Sequence, residues 1–320
     1  PVTEIGEKAF RYCYNIVSVS LPSTLTNIGS YAFGLCHRLK EVINKSTLAI
    51  TAGSKDSGGV AEYALAVHGG ETMIVRQGDY RFITVEGTNY LIDYDGKESE
   101  ITLPANYNGN DYKIASYAFV YSTSIFGKTD LKKVTALGQI TEVGYRAFDD
   151  CYYLSEIILS DNVTKIDSFA FSGCKKLTSF TVPANLREIG ICAFFQCYRL
   201  VEVINKNANL TVVAGDSSNG YLGKYALVVH KNDTSRIKRI LDYKFIGVNG
   251  KNYLVDYVGD NVDISLPVNT SYATGGSQEE FLTHSGDSDC DFDAPTKDPD
   301  VNEDDPTLDS NYLPIYESNG

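Results

Sequence analysis

Six Ala-Phe dipeptides punctuate this chain, at Phe10, Phe33, Phe119, Phe148, Phe171 and Phe194, and three of the gaps between them are 23 residues long. Around each anchor the same phrase recurs. One copy runs Ile166-Asp-Ser-Phe-Ala-Phe171-Ser-Gly-Cys174-Lys-Lys-Leu177-Thr-Ser-Phe180-Thr-Val182-Pro183, and another starts at Ile5 and ends at Pro22. The shared skeleton is I-G-x-x-A-F-x-x-C-x-x-L-x-x-V-x-L-P. A chain that repeats itself at so short a period folds as stacked copies of one unit, because each copy carries an apolar edge that it cannot bury alone.

Within a unit, Leu177, Phe180 and Val182 end in the period-2 alternation of a half-buried strand. Pro183 then stops the strand, since proline donates nothing to a ladder. The Ala-Phe-x-x-Cys segment is too short for a free helix and predicts a turn or one helical turn. A longer period overlies the short one. Glu41-Val-Ile-Asn-Lys45 returns as Glu202-Val-Ile-Asn-Lys206, and Tyr63-Ala-Leu-Ala-Val-His68 as Tyr225-Ala-Leu-Val-Val-His230. The stretch from Asp79 to Pro104 returns from Asp242 to Pro267, with Glu86-Gly87 or Asn249-Gly250 between two aromatic-rich runs. Such runs around such a dipeptide predict a β-hairpin.

The skeleton, matched closely by the coils of Phe10, Phe33, Phe148, Phe171 and Phe194, resembles the BspA-type leucine-rich repeat, also called the Treponema pallidum type. The Phe119 coil departs from it, with Ser122 in place of the cysteine. The resemblance spans about residues 1–268. It implies an α/β repeat fold: a right-handed leucine-rich-repeat solenoid with a parallel β-sheet face and short helical turns. It further implies a cell-surface or secreted protein of host-associated bacteria (or of a parasitic protist), with a binding role. Two long units are expected, about 1–113 and 114–268, each of regular coils followed by an irregular strand-rich section.

The net charge of −13 is not spread evenly. Residues 277–320 hold thirteen acids and one base, which leaves the other 276 residues at −1. Residues 269–320 are therefore expected to be an acidic, disordered tail. A neutral body beside such a tail has nothing to neutralise phosphates, which argues against nucleic acid as a partner. No stretch approaches the roughly eighteen apolar residues of a membrane helix, so no membrane insertion is expected. The first residues, Val2-Thr3-Glu4-Ile5-Gly6, read as the end of a repeat, and a signal peptide would lie upstream.

Cys13, Cys36, Cys151, Cys174 and Cys197 all fall three residues after the repeat phenylalanine. In a parallel stack, neighbours on such a column lie about 4.8 Å apart with parallel side chains, whereas a disulfide wants Cβ atoms about 3.8 Å apart. They are expected to be small buried hydrophobes, reduced and unbridged. Cys192 and Cys290 lie off the column, and Cys290 is the candidate reactive thiol. No Cys-x-x-Cys or paired histidine suggests a metal. Asp287 to Asp298 superficially suggests a calcium loop, but Phe292 stands where the turn needs glycine. His68 and His230 occupy equivalent places, which marks them as scaffold, and His37 is expected to be exposed. Nothing converges on a unique nucleophile and base, so neither catalysis nor a cofactor is expected.

Solenoids bind through variable positions that point away from the core. Ser20, Ile43, Ile158, Thr181 and Ile204 are expected to face outward within the strands. Tyr14, His37, Tyr152, Lys175 and Tyr198 form a second variable column just before them. Exposed Ile and Tyr suit an extracellular protein or glycan, and half-exposed Tyr equally suits a sheet surface. The expected function is non-catalytic surface binding, as an adhesin. The alternative is a passive spacer in a larger secreted enzyme.

Overall fold

The structure, a computed structural model, describes residues 1–120, 131–231, 234–259 and 272–273. The alternating segments form short parallel strands stacked coil on coil. In the first stack Ser18–Leu21, Glu41–Asn44 and Ala66–His68 lie side by side, with Val19 opposite Val42 and Val42 opposite Val67. In the second, Glu100–Thr102, Lys133–Ala136 and Glu156–Leu159 form one parallel ladder, and Ser179–Val182, Glu202–Asn205 and Val228–His230 form the next. Val134, Ala136, Phe180, Val182 and Val203 are sealed from solvent, and they line one continuous core.

The Ala-Phe-x-x-Cys segments are turns. The one helix among the described residues is a three-residue 3-10 turn at Ser57–Gly59. The expected helical turn is ruled out by two left-handed residues in each coil, one before the alanine and one before the cysteine. These are Lys8 and Tyr12, Tyr31 and Leu35, Arg146 and Asp150, Phe169 and Gly173, Cys192 and Gln196, all with φ between 52° and 70°. A left-handed residue other than glycine costs about 1–2 kcal/mol, so something must offset it. The freed backbone groups bond sideways to the next coil. Phe148 N–H donates to Ala170 O, Phe171 N–H to Ala193 O and Phe194 N–H to Gly220 O, each at 2.8 Å. Coils this close leave no room beneath the Ile-Gly step. A Cβ on Gly190 would lie 2.2 Å from the Ser168 nitrogen.

The phenylalanines stack along the axis: Phe10 on Phe33, Phe119 on Phe148, Phe148 on Phe171 and Phe171 on Phe194, with centroids 4.6–5.4 Å apart. Cys36, Cys151, Cys174 and Cys197 are buried and free. Their thiols do more than fill space. Each donates to the carbonyl of the phenylalanine one coil back, as Cys174 Sγ does to Phe148 O at 3.3 Å. Cys13, expected to be buried, is partly exposed, because its coil has a neighbour on one side only in this chain. Cys192 is buried and is not among the free thiols.

The irregular sections are hairpins, Tyr80–Val85 with Thr88–Tyr94 and Tyr243–Val248 with Lys251–Tyr257. The first is buried on both faces. Phe82 and Leu91 enter the core of the second stack, while Ile83 and Ile92 pack with Val17, Ala66 and Ala115. It also heads a seven-stranded sheet through the parallel pair Thr88–Tyr94 and Tyr112–Ile114. By pairing, the hairpin and strand Glu100–Thr102 thus belong to the sheets of the second stack, although the long period groups them with the first. The acidic-tail reading, the calcium-like run, Cys290 and Ser122 lie outside the described residues.

Candidate functional site

Of the strand positions expected to face outward, Ser20 is exposed and Ile43, Ile158 and Thr181 are half-buried. Ile204 corrects the expectation: it is 5% exposed. The reason lies one residue-pair away, at Glu41 and Glu202. Both carboxylates sit on that outer face and are fully buried, because the chain folds back over them after the next strand. Glu41 accepts hydrogen bonds from Ser18 Oγ, Thr72 Oγ1 and the Met73 N–H, and pairs with His68 Nε2 at 3.2 Å. Glu202 takes the matching set from Ser235, the Arg236 N–H and His230. Burial pushes the Glu41 carboxyl up, but the hydrogen bonds from Ser18, Met73, Thr72 and His68 outweigh it and hold it below the usual range. His68 and His230 are thus fasteners of the return segment. The sequence carried the signal, since Glu41 and Glu202 recur together with their histidines.

The second column forms ring contacts from coil to coil. Tyr12 touches Tyr14, Tyr14 touches His37 at 6.1 Å, and His37 meets Tyr63 edge-on at 4.8 Å. In the second stack the Lys175 ammonium lies 4.8 Å over the Tyr152 ring, and Tyr198 meets Tyr225 at 5.3 Å. Tyr12, Tyr152 and Tyr153 are 42–51% exposed, and Lys175 is exposed. His37, expected to be exposed, is instead stacked on Tyr117 at 4.6 Å and 10°. Burial, then the charges of Lys40 and Arg146, push its pKa from 6.5 down to about 4.

That contact marks where the two stacks meet. A cleft of about 270 Å³ opens there, lined by Lys40, Glu62, Tyr63 and Leu65 from the first stack and Ser116, Tyr117 and Tyr145 from the second. Lys40 is 1% exposed. Its Nζ donates to the carbonyls of His37 and Tyr63 and lies 5.6 Å from the Tyr117 centroid. Burial first, and Arg38 second, bring its pKa from 10.5 down to about 7. The sequence reading missed this place. Its signal is a break in the long repeat: Glu41 and Arg38 are matched by Glu202 and Arg199, whereas Lys40 faces Val201 and Glu62 faces Lys224.

Among the described residues no three His, Cys, Asp or Glu side chains are grouped to hold a metal ion, and no helix is long and apolar enough to cross a membrane. The family model for the BspA type leucine rich repeat region matches residues 2–54 and 113–218, in six copies. No curated protein matches the chain. Among solved structures it is similar to a leucine-rich repeat protein from Bacteroides capillosus, at 29% identity over 36% of this chain and 86% of that one, TM-score 0.31. It is also similar to the pneumococcal vaccine antigen PcpA, at 19% identity over 73% of this chain, TM-score 0.43, where it spans 61% of that chain. A leucine rich cell surface protein from Faecalibacterium prausnitzii is 20% identical over 64% of this chain and 66% of that one, TM-score 0.32. With the 23-residue coils, the stacked phenylalanines and this match, the chain belongs to the BspA-type leucine-rich-repeat family.

Proposed function

We propose that this chain is a surface-displayed or secreted binding module that holds an extracellular protein or glycan along its aromatic column, as an adhesin does, without chemistry of its own. The observation that carries the reading is the column of rings from Tyr14 through His37 to Tyr63, and of Tyr152, Lys175, Tyr198 and Tyr225 in the second stack, with Tyr152, Tyr153 and Lys175 open to solvent. Rings with a polar tip give contact area at little entropic cost, and a rigid scaffold keeps them in place. Of the other expected positions, Ser20 is exposed, Ile43, Ile158 and Thr181 are half-buried, and Ile204 is too buried to take part. The body of the chain is close to neutral, so contact area and hydrogen bonds, rather than net charge, would set affinity.

The test is a screen of the purified chain against immobilised extracellular proteins and a glycan array, followed by the double variant Tyr152→Ala, Tyr153→Ala. A ligand whose affinity falls about tenfold or more in the variant, roughly the loss of one interface anchor, supports the reading. No ligand on either surface, or one that the variant binds unchanged, overturns it in favour of a spacer.

A further inference from the structure

We propose that Lys40 is a nucleophilic amine, and that the cleft between the two stacks is a site for covalent capture of a small apolar aldehyde. The site is separate from the aromatic strip of the binding reading, and neither depends on the other.

Four observations place the chemistry there. Lys40 is buried, yet no carboxylate pairs with it among the described residues, and the Tyr117 ring at 5.6 Å is its one contact that favours the ammonium form. Its two hydrogen bonds, to His37 O and Tyr63 O, match the two N–H bonds of a neutral amine and leave the nitrogen lone pair unused. It lines a cleft walled by the rings of Tyr63, Tyr117 and Tyr145 with Ala64 and Leu65, beside Ser116 and a Glu62 whose carboxylate pairs with Lys55 at 3.7 Å. Finally, it breaks the internal symmetry. The equivalent residue of the second repeat is Val201, so the fold at this position is served by a plain hydrophobe. A buried lysine in place of valine costs stability, so packing alone does not account for it. Its lowered pKa, about 7, agrees with a neutral amine at physiological pH.

The reaction is imine formation. The Lys40 nitrogen attacks the carbonyl carbon, a C–N bond forms, and the aldehyde oxygen leaves as water with the two hydrogens of the amine. No oxidant or reductant is consumed. An ordinary surface lysine is neutral in roughly one molecule per thousand near pH 7.5. An amine with a pKa near 7 is mostly neutral there, and its lower basicity gives back only part of that advantage.

The experiment uses the full chain, benzaldehyde as probe at pH 7.5, a borohydride quench that fixes any imine, and peptide mass spectrometry. Expected is a reduced adduct at Lys40 at about tenfold or more above the average of the other lysines, lost when the chain is labelled in urea. Lys40→Val, the residue the second repeat already uses, should fold normally by circular dichroism and lose that adduct alone. Even labelling across the lysines, an unmodified Lys40 in folded protein, or selectivity that survives unfolding would overturn the proposal. Faster labelling of Lys40 by glyoxylate than by benzaldehyde would overturn the choice of an apolar aldehyde.

Discussion

At the scale of single residues, the cysteine column shows how little of a side chain's role its burial conveys. Cys174 fills a sealed site, and its thiol also satisfies a carbonyl of the neighbouring coil. Burial above all holds Cys151 and Cys174 well above the usual thiol range, and brings Cys36 to about 11. The reactive thiolate is therefore absent in the native state. Within the column, thiol labelling should modify Cys13 first and the four buried cysteines only on unfolding. Prompt native labelling of all five would contradict the stacked geometry. Cys174→Ala should cost about 1–2 kcal/mol through lost packing and the lost hydrogen bond, measured by urea denaturation. His37 gives a pH signature. Its native pKa is lowered to about 4, so the stability it contributes is present above 6.5 and lost as pH falls from 6.5 towards 4. Melting temperatures at pH 7 and pH 4.5 should differ less in His37→Phe than in the parent. An equal pH drop in both would remove His37 as the cause.

At the scale of the coil, the turn is defined by backbone sign. Two left-handed residues per coil send the N–H groups across to the next coil, and the lateral bonds compensate for the strain. Tyr31 tests this cleanly, because its side chain is 56% exposed and its φ is 52°. Tyr31→Val puts a β-branched residue in the left-handed region and should destabilise by about 1 kcal/mol beyond the cost tyrosine already carries. Tyr31→Gly should be neutral or slightly stabilising, since glycine adopts that region freely. A valine variant as stable as the glycine variant would show that the turn carries no such constraint.

At the scale of the molecule, the first hairpin is a joint. Its alternating faces are shared between two cores, and a buried ion pair locks it. Arg38 bonds Asp93 with side chains only 6% and 2% exposed, and Arg81 reaches the same carboxylate at 3.0 Å. The second repeat keeps the pair as Arg199 and Asp256, but there the arginine side chain is 40% exposed. Removing one partner of a buried pair strands the other charge, whereas water takes over at a half-exposed one. Asp93→Ala should therefore cost about 3–5 kcal/mol, and Asp256→Ala about 1 kcal/mol. Equal losses on chemical denaturation would mean that burial does not separate the two.

Whatever depends on neighbours at a fixed offset can be read from the residues alone. A 23-residue period places equivalent residues against each other in any stack, so the strands, the phenylalanine ladder and the cysteine column follow from spacing alone. The uneven charge and the two hairpins were legible for similar reasons, one in composition and the other in turn chemistry. Contacts between residues with no such relation emerge only when the coils are folded. That Ile83 and Phe82 face different cores and that His37 lies under Tyr117 require the two stacks to be placed against each other. Those contacts join residues up to 80 positions apart, and a period of 23 carries no information about them. Even so, the substitution of Lys40 for the valine of the second repeat was present in the sequence as a break in symmetry, and only the cleft around it gives that break a chemical meaning.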